Sequence, residues 1–504
     1  MIYKHLKSGT DIRGKAIGQD AILNESTAEK IGYSFVKWLQ SKGEKDVRIA
    51  IGRDSRLSGE KLLNACAVGM AKAGAQVQRF GLCTTPAMYQ SLQHQDLALT
   101  ASIMVTASHH PSNRNGFKFF TKEQGSISSQ MLSEILAVME HIDVSETNSN
   151  LPNIVDYPYL DHYRKHIANI VREKLDTDVN CPLLGLHVVV DAGNGAGGFY
   201  EKLMKDLGAW TEGSQFLEPD GSFPNHMPNP EDPTAMAAIS ETVKRVGADI
   251  GVIFDADCDR AAIVDGSGKE INRNRLIALV SAVLLDKEPG ITVVTDSVTS
   301  SGLSKFIGEW GGIHYRYKRG YRNVIDEALR LNQSGINCPL AMETSGHAAF
   351  RENDFIDDGM YLSTLLICEA LRKKQEGKSL FSMIDGLEEP IESLEARLNI
   401  KASDFHAAGL RVIEKVMDHA SFNDEWTIAP DNREGIRISL NLDGGMDNAW
   451  FLLRLSVHDP VLPLNIESDV EGGVSHIVKQ LYALLKDIPD VSLQPLIDYL
   501  QIQA

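Results

Sequence analysis

The chain has 504 residues, 43% of them hydrophobic, and a formal net charge of −18. That length corresponds to about three or four domains of ordinary size, each with apolar residues enough to bury a core. The charge argues against a nucleic-acid binder and requires that any anionic ligand be held by a local cluster of Arg and Lys, while no apolar run approaches the ~18 residues of a membrane span.

Six cysteines, at positions 66, 83, 181, 258, 338 and 368, form no Cys-x-x-Cys pair, and the first residues lack an apolar signal region. A reducing, cytoplasmic setting is expected. In chain order, Ser8-Gly9-Thr10-Asp11-Ile12-Arg13-Gly14 precedes a helix whose Ile31, Phe35, Trp38 and Leu39 share a face, with Ser26 and Glu29 spaced as a capping box. A strand over 47–51 runs into Gly52-Arg53-Asp54-Ser55-Arg56 and a helix over about 58–73. The apolar run 101–105 then empties into Thr106-Ala107-Ser108-His109-His110-Pro111, a polar stretch that continues to Gly116-Phe117-Lys118. Strand exits are where α/β sheets place their ligands, so Ser108, flanked by His109, His110 and Lys118, is a candidate reactive centre. The plainer reading is a serine that hydrogen-bonds its own turn.

From about 140 to 158 the chain is rich in Asn, Ser and Pro, as a connection between domains would be. A helix over about 159–175 and a strand over 187–190 follow, ending in Asp191-Ala192-Gly193-Asn194-Gly195. The same grammar returns at 291–294 with Thr295-Asp296-Ser297. Three such recurrences predict three successive α/β domains of similar design. Beyond about Leu387 the pattern changes: Ile436, Ile438, Leu440 and Leu442 alternate with polar residues, and Ile477, Leu481, Leu484, Leu485 and Ile488 line a helix. This predicts an α+β domain with a mostly antiparallel sheet.

The apolar run 250–254 feeds directly into Asp255-Ala256-Asp257-Cys258-Asp259-Arg260. Carboxylates at i, i+2 and i+4 cannot converge from a straight strand or from a helix, so only a curled loop would gather them. Curled, they offer three hard oxygen ligands suited to Mg²⁺. A calcium EF-hand fails on spacing, with Arg260 at its sixth position and Gly266 at its twelfth. A solvated acidic turn is the remaining alternative. Glu343-Thr344-Ser345-Gly346-His347 presents a carboxylate, a hydroxyl and an imidazole, the groups that bind sugar hydroxyls. Arg454-Leu455-Ser456-Val457-His458-Asp459-Pro460 reads either as a phosphate cradle or as a surface turn closed by Pro460.

Together, in this order, these four motifs resemble the α-D-phosphohexomutase family, which includes phosphoglucomutase, phosphomannomutase and phosphoglucosamine mutase, across nearly the whole chain. The resemblance implies three similar α/β domains with mixed sheets and a smaller C-terminal α+β domain around a central cleft, here divided as 1–150, 151–265, 266–386 and 387–504. It implies that Ser108 carries a phosphoryl group, that one Mg²⁺ per chain sits on Ser108, Asp255, Asp257 and Asp259, and that Arg260, Arg13 and His109 belong to the same centre. Glu343, Ser345, His347 and Lys318 would meet the sugar, and Arg454, Ser456, Val457 and His458 its non-transferring phosphate. Ala256 and Cys258 stand where the family often has glycines, and Val457-His458-Asp459 where Asn-Thr-Thr or Gly-Thr-Glu is usual; the latter departure bears on which sugar is preferred.

The expected activity is interconversion of hexose 1-phosphate and hexose 6-phosphate, with glucose or mannose as the sugar. A hexose 1,6-bisphosphate would be both intermediate and activator, and Lys118 and His347 are the candidates for general acid and base. Phosphoglucosamine or N-acetylglucosamine phosphate is the alternative sugar. A phosphosugar hydrolase and a non-catalytic phosphosugar-binding protein are the alternatives of other classes; an acyl hydrolase lacks its Gly-x-Ser-x-Gly elbow. The partner expected is a small phosphosugar, with no nucleic acid and no membrane, on a monomer or homodimer whose last domain hinges near Gly386.

Overall fold

The run Ala101–Val105, buried at every position, is the middle strand of an eight-stranded mixed sheet. In the computed structural model, which describes residues 3–142, 154–456 and 459–502, it pairs in parallel with Arg48–Arg53 and antiparallel with Arg114–Thr121. Helices Glu25–Ser41 and Gly59–Lys72 cover this sheet and press on each other so closely that a Cβ at Gly69 would stand 1.9 Å from the Glu29 carbonyl oxygen. Glycine there sets the helix separation. The first helix is capped by Asn24, whose side chain accepts the Thr27 amide, and not by the Ser26–Glu29 box; the box spacing is present, but Ser26 already lies inside the helix. Part of the stretch read as a connection is a strand: Ile154–Asp156 extends the sheet in parallel with Gln76–Leu82. At three residues it is too short to show a pattern.

The second sheet places Ile250–Phe254 between Val188–Asp191, parallel to it, and Ala261–Asp265, antiparallel. Helix Gly359–Gln375 packs on these strands. Buried continuously from residue 359 to 371, it carries no amphipathic stripe. The third sheet centres on Thr292–Thr295, flanked in parallel by Ile313–Arg316 and Leu340–Met342. The last domain is a five-stranded antiparallel sheet with helices Phe405–Ala420 and Gly473–Leu485 in its core. The fold is thus of the expected class, three α/β domains followed by an α+β domain.

Spatially the chain forms two units, residues 1–276 with 345–382, and residues 277–344 with 383–504. Within the second unit the last domain is tied to the exit of strand Thr292–Thr295. The Ser297 hydroxyl donates to Glu434, Arg316 pairs with Asp431 at 2.5 Å, and Arg437 donates to the Ser297 carbonyl at 2.9 Å. Among the described residues no helix is long and apolar enough to cross a membrane.

Candidate active site

Ser108 sits three residues past its strand in the left-handed region, φ 49°, and is 7% exposed. Its amide donates to the Thr106 hydroxyl at 2.9 Å, which closes the turn locally and leaves the Ser108 hydroxyl free to point elsewhere. It donates to Asp255 Oδ2 at 2.7 Å and accepts from Arg260 Nη2 at 2.9 Å. The reading of this hydroxyl as a turn-closing group is therefore not what the geometry supports.

The acidic loop curls as its spacing demands. Between strands Ile250–Phe254 and Ala261–Asp265, Cys258 takes φ 65° and the Asp255 amide bonds the Arg260 carbonyl at 3.3 Å. Asp255, Asp257 and Asp259 each bring a carboxylate oxygen within 4.8 Å of the others, and all three are buried. The Oδ1 atoms of Asp257 and Asp259 are buried and without a hydrogen-bond partner among the described residues. Buried carboxylate oxygens are seldom left so, and a set made only of hard oxygens is the donor chemistry of Mg²⁺. The triad can hold such an ion. Burial and the neighbouring Asp259 and Asp257 push the Asp255 carboxyl well above its ordinary range.

Lys118 reaches the same loop from strand Arg114–Thr121, with Nζ on Asp257 Oδ2 at 2.8 Å and also on Asp259 Oδ2. Burial disfavours its charge, but the two carboxylates outweigh that and its pKa is raised. Asp257 shows the reciprocal effect: burial opposes ionisation, yet the Lys118 ammonium holds it below the usual carboxylate range. Arg13 lies beneath the serine loop, donating to the Thr106 carbonyl and to Asp11 Oδ2 at 2.8 Å. His109 Nδ1 meets Arg260 Nη2 at 2.5 Å, and burial together with the Arg260 charge lowers its pKa to about 2. It is a neutral acceptor and not a proton donor. Ser345 and His347 pair side chain to side chain at 2.8 Å, and His347 Nε2 stands 3.7 Å from Asp259 Oδ1.

In the second unit the buried Glu343 accepts the Gly320 amide at 2.7 Å, which joins it to the turn that carries Lys318. Arg454 follows strand Ala449–Leu453, and its Nε is buried without a hydrogen-bond partner among the described residues. Burial lowers its pKa while Glu434 works in the other direction. Ser456 accepts the Asp459 amide through its hydroxyl at 3.2 Å. Val457 and His458 lie outside the described residues.

Two contributors carry no signal in the acidic or serine motifs. Thr85, at the start of helix Thr85–Gln90, donates to Asp257 Oδ2 at 2.5 Å and bonds the Asp257 carbonyl through its amide at 2.9 Å. Its sequence context, a strand leading to Thr84-Thr85-Pro86, marks a helix start and nothing more. The other is Arg56.

Three family profiles match the chain: "Phosphoglucomutase/phosphomannomutase, alpha/beta/alpha domain I" over residues 5–146, domain II over 158–268 and domain III over 272–390. The chain is 31% identical over 488 residues to a phosphomannomutase/phosphoglucomutase of Pseudomonas syringae pv. tomato, covering 96% of each. It is 30% identical to a phosphoglucomutase of Neisseria gonorrhoeae, covering 95% of this chain and 96% of that one. Among solved structures, a phosphoglucomutase/phosphomannomutase family protein from Burkholderia thailandensis superposes with a TM-score of 0.78 at 26% identity, covering 96% of this chain and 98% of that one.

Proposed function

The chain belongs to the phosphoglucomutase/phosphomannomutase family and is a mutase of that type, and on this footing we propose that it interconverts the 1- and 6-phosphates of glucose or mannose through a phosphorylated Ser108. The observation that carries the reading is the Ser108 hydroxyl itself, 2.7 Å from Asp255 and 2.9 Å from Arg260 in a buried site. An acidic oxygen and a guanidinium on one hydroxyl are the surroundings a serine phosphoryl group needs once a cation offsets the carboxylates.

Asp255, Asp257 and Asp259, with an oxygen on Ser108, would hold Mg²⁺. When bound, the ion supplies positive charge against the phosphoryl oxygens, the main requirement of a reaction that depends on positioning and electrostatics. Arg260 and Arg13 supply further positive charge from the protein side. His109 stays neutral and accepts from Arg260, which fixes the guanidinium against Ser108. Lys118, kept protonated by its two carboxylates, is assigned the proton given to Ser108 Oγ when that oxygen leaves phosphorus. His347 is assigned the proton taken from the attacking sugar hydroxyl. After the first transfer the sugar carries two phosphates, and it must present its other end to Ser108 before the second transfer restores the phosphoserine. Glu343, Ser345 and Lys318 are assigned to the sugar hydroxyls, and Arg454 and Ser456 to the phosphate that is not being transferred.

The test is a coupled assay with glucose 1-phosphate or mannose 1-phosphate, Mg²⁺ and a trace of the 1,6-bisphosphate, with parallel rates on the glucosamine and N-acetylglucosamine 1-phosphates. Hexose 6-phosphate should accumulate, and Ser108→Ala should reduce its formation by at least ~10³-fold while the variant still folds and binds the sugar phosphate. Inorganic phosphate in place of hexose 6-phosphate would identify a hydrolase. Tight binding with neither product would identify a binding protein, and near-normal turnover by Ser108→Ala would remove Ser108 from its role.

A further inference from the structure

Arg56 is 1% exposed and spends every N–H it has. Nε donates to Asp54 Oδ2 at 3.1 Å. One terminal nitrogen donates to the carbonyls of Pro111 at 2.8 Å and Arg114 at 3.0 Å, the other to the carbonyls of Ser108 and of His110, the latter at 2.7 Å. A guanidinium carries five N–H groups, so none remains for a ligand. Three of the acceptors are backbone oxygens of the one loop that bears Ser108, and the fourth, Arg114, is the first residue of the strand that follows it. The fifth, Asp54, also receives the Thr106 hydroxyl at 2.7 Å, and that hydroxyl in turn accepts the Ser108 amide at 2.9 Å. The far side of the guanidinium is closed by the Phe223 ring, 5.2 Å from its central carbon.

We propose that Arg56 is a positioning residue for phosphoryl transfer, the splint on which the Ser108 loop is folded, and that it does not bind the phosphoryl group. The inference rests on the mutase reading given above and says how the nucleophile is kept in place. The loop leaves its strand at once, so the carbonyls of Ser108 and His110 have no neighbouring strand to pair with, and Ser108 stands in a left-handed conformation that a free loop would seldom keep. A planar fork with donors in fixed directions meets four carbonyls and a carboxylate together; a lysine, with three donors on one atom, does not. Arg13 differs on this point, since among the described residues it bonds the Thr106 carbonyl and Asp11 and not the carbonyls that follow Ser108.

Arg56→Lys in the full chain is the test, read by kcat, KM and hydrogen–deuterium exchange. The expected result is a fall in kcat of about 100-fold, the scale of an ångström-level misplacement, with KM for hexose 1-phosphate within about twofold of wild type and faster exchange confined to residues 107–116. A KM that rises while kcat holds would make Arg56 a substrate ligand and overturn the proposal. So would a variant with wild-type kcat and wild-type exchange. If Arg56→Lys does not fold, Thr106→Val decides: it deletes the hydroxyl that links Asp54 to the Ser108 amide and should lower kcat about tenfold at unchanged KM, with looser exchange in the same segment. Unchanged kcat and exchange in that variant would overturn the proposal. A wild-type enzyme inactive on every hexose phosphate would defeat the mutase reading instead, and the exchange measurement would still tell whether Arg56 holds the loop.

Discussion

The hydroxyl of Thr85 donates to Asp257 Oδ2, the same oxygen that Lys118 Nζ holds at 2.8 Å. That oxygen is thereby fixed from two sides while Oδ1 of the same carboxylate has no partner among the described residues. A group that orients a metal-binding carboxylate typically accounts for ten- to a hundredfold in affinity. Thr85→Val, which keeps the shape and removes the donor, should therefore weaken Mg²⁺ binding by at least about tenfold. Calorimetric titration with MgCl₂ measures this, and an unchanged affinity would detach Thr85 from the site. Ser108 and the three aspartates were legible in the sequence because each lies in a contiguous motif directly after an apolar run. Thr85 and Arg56 were not, because their partners stand 172 and 52 positions away and only the folded chain brings them together. Arg56 was visible as one of two arginines in Gly52-Arg53-Asp54-Ser55-Arg56, but nothing local distinguishes it from Arg53, which bonds the Asp54 carbonyl and is partly exposed.

Helix Gly359–Gln375 shows how an element is fixed by its cap. Asp358 Oδ1 accepts the amides of Met360 and Tyr361, both at 2.9 Å, and Oδ2 accepts the Tyr163 hydroxyl at 2.7 Å. Burial raises its pKa to about 6 in spite of these donors. A carboxyl whose folded pKa lies above its unfolded value binds its proton more tightly in the fold. Its contribution to stability is therefore greatest below about pH 4, declines as pH rises towards about 6, and is level above that. Asp358→Asn keeps an acceptor for the two amides and carries no charge, so its stability should not share this decline. Relative to wild type the variant should gain about 2 kcal/mol between pH 4 and pH 6. Denaturant unfolding across that range checks it, and parallel profiles would show that Asp358 does not titrate there. The central strands at 47–51, 101–105, 187–190, 250–254 and 291–294 were readable as short apolar runs, and helices such as those near 31–39 and 477–488 from their apolar faces. Helix Gly359–Gln375 was not, because an element buried all round has no polar face to give its period away.

At the scale of the molecule, the serine loop, the acidic loop, Lys118, Arg13 and His347 all belong to the unit formed by residues 1–276 and 345–382. A ligand that binds only the folded form stabilises that form by about 2.7 kcal/mol at a concentration of 100 times its dissociation constant. Saturating Mg²⁺ should therefore raise the melting transition of this unit, EDTA should reverse it, and the transition of the other unit should stay in place. Differential scanning calorimetry distinguishes the two, and equal shifts in both would argue against an ion held by the triad. The hinge that the sequence suggests near Gly386 must be weighed against the Ser297–Glu434, Arg316–Asp431 and Arg437–Ser297 bonds, which tie the last domain to the third. Rotation about that point would have to break them, and residues more than a hundred positions apart gave no sign of it in the sequence.

The backbone passes from one unit to the other after Leu276, Thr344 and Ser382. A protease that nicks the chain once therefore cannot liberate either unit whole, and no truncation at a single point yields one of them for separate expression. The same interleaving means that, during synthesis, most of the polypeptide must leave the ribosome before the unit that carries Ser108, with its helix Gly359–Gln375, is present in full.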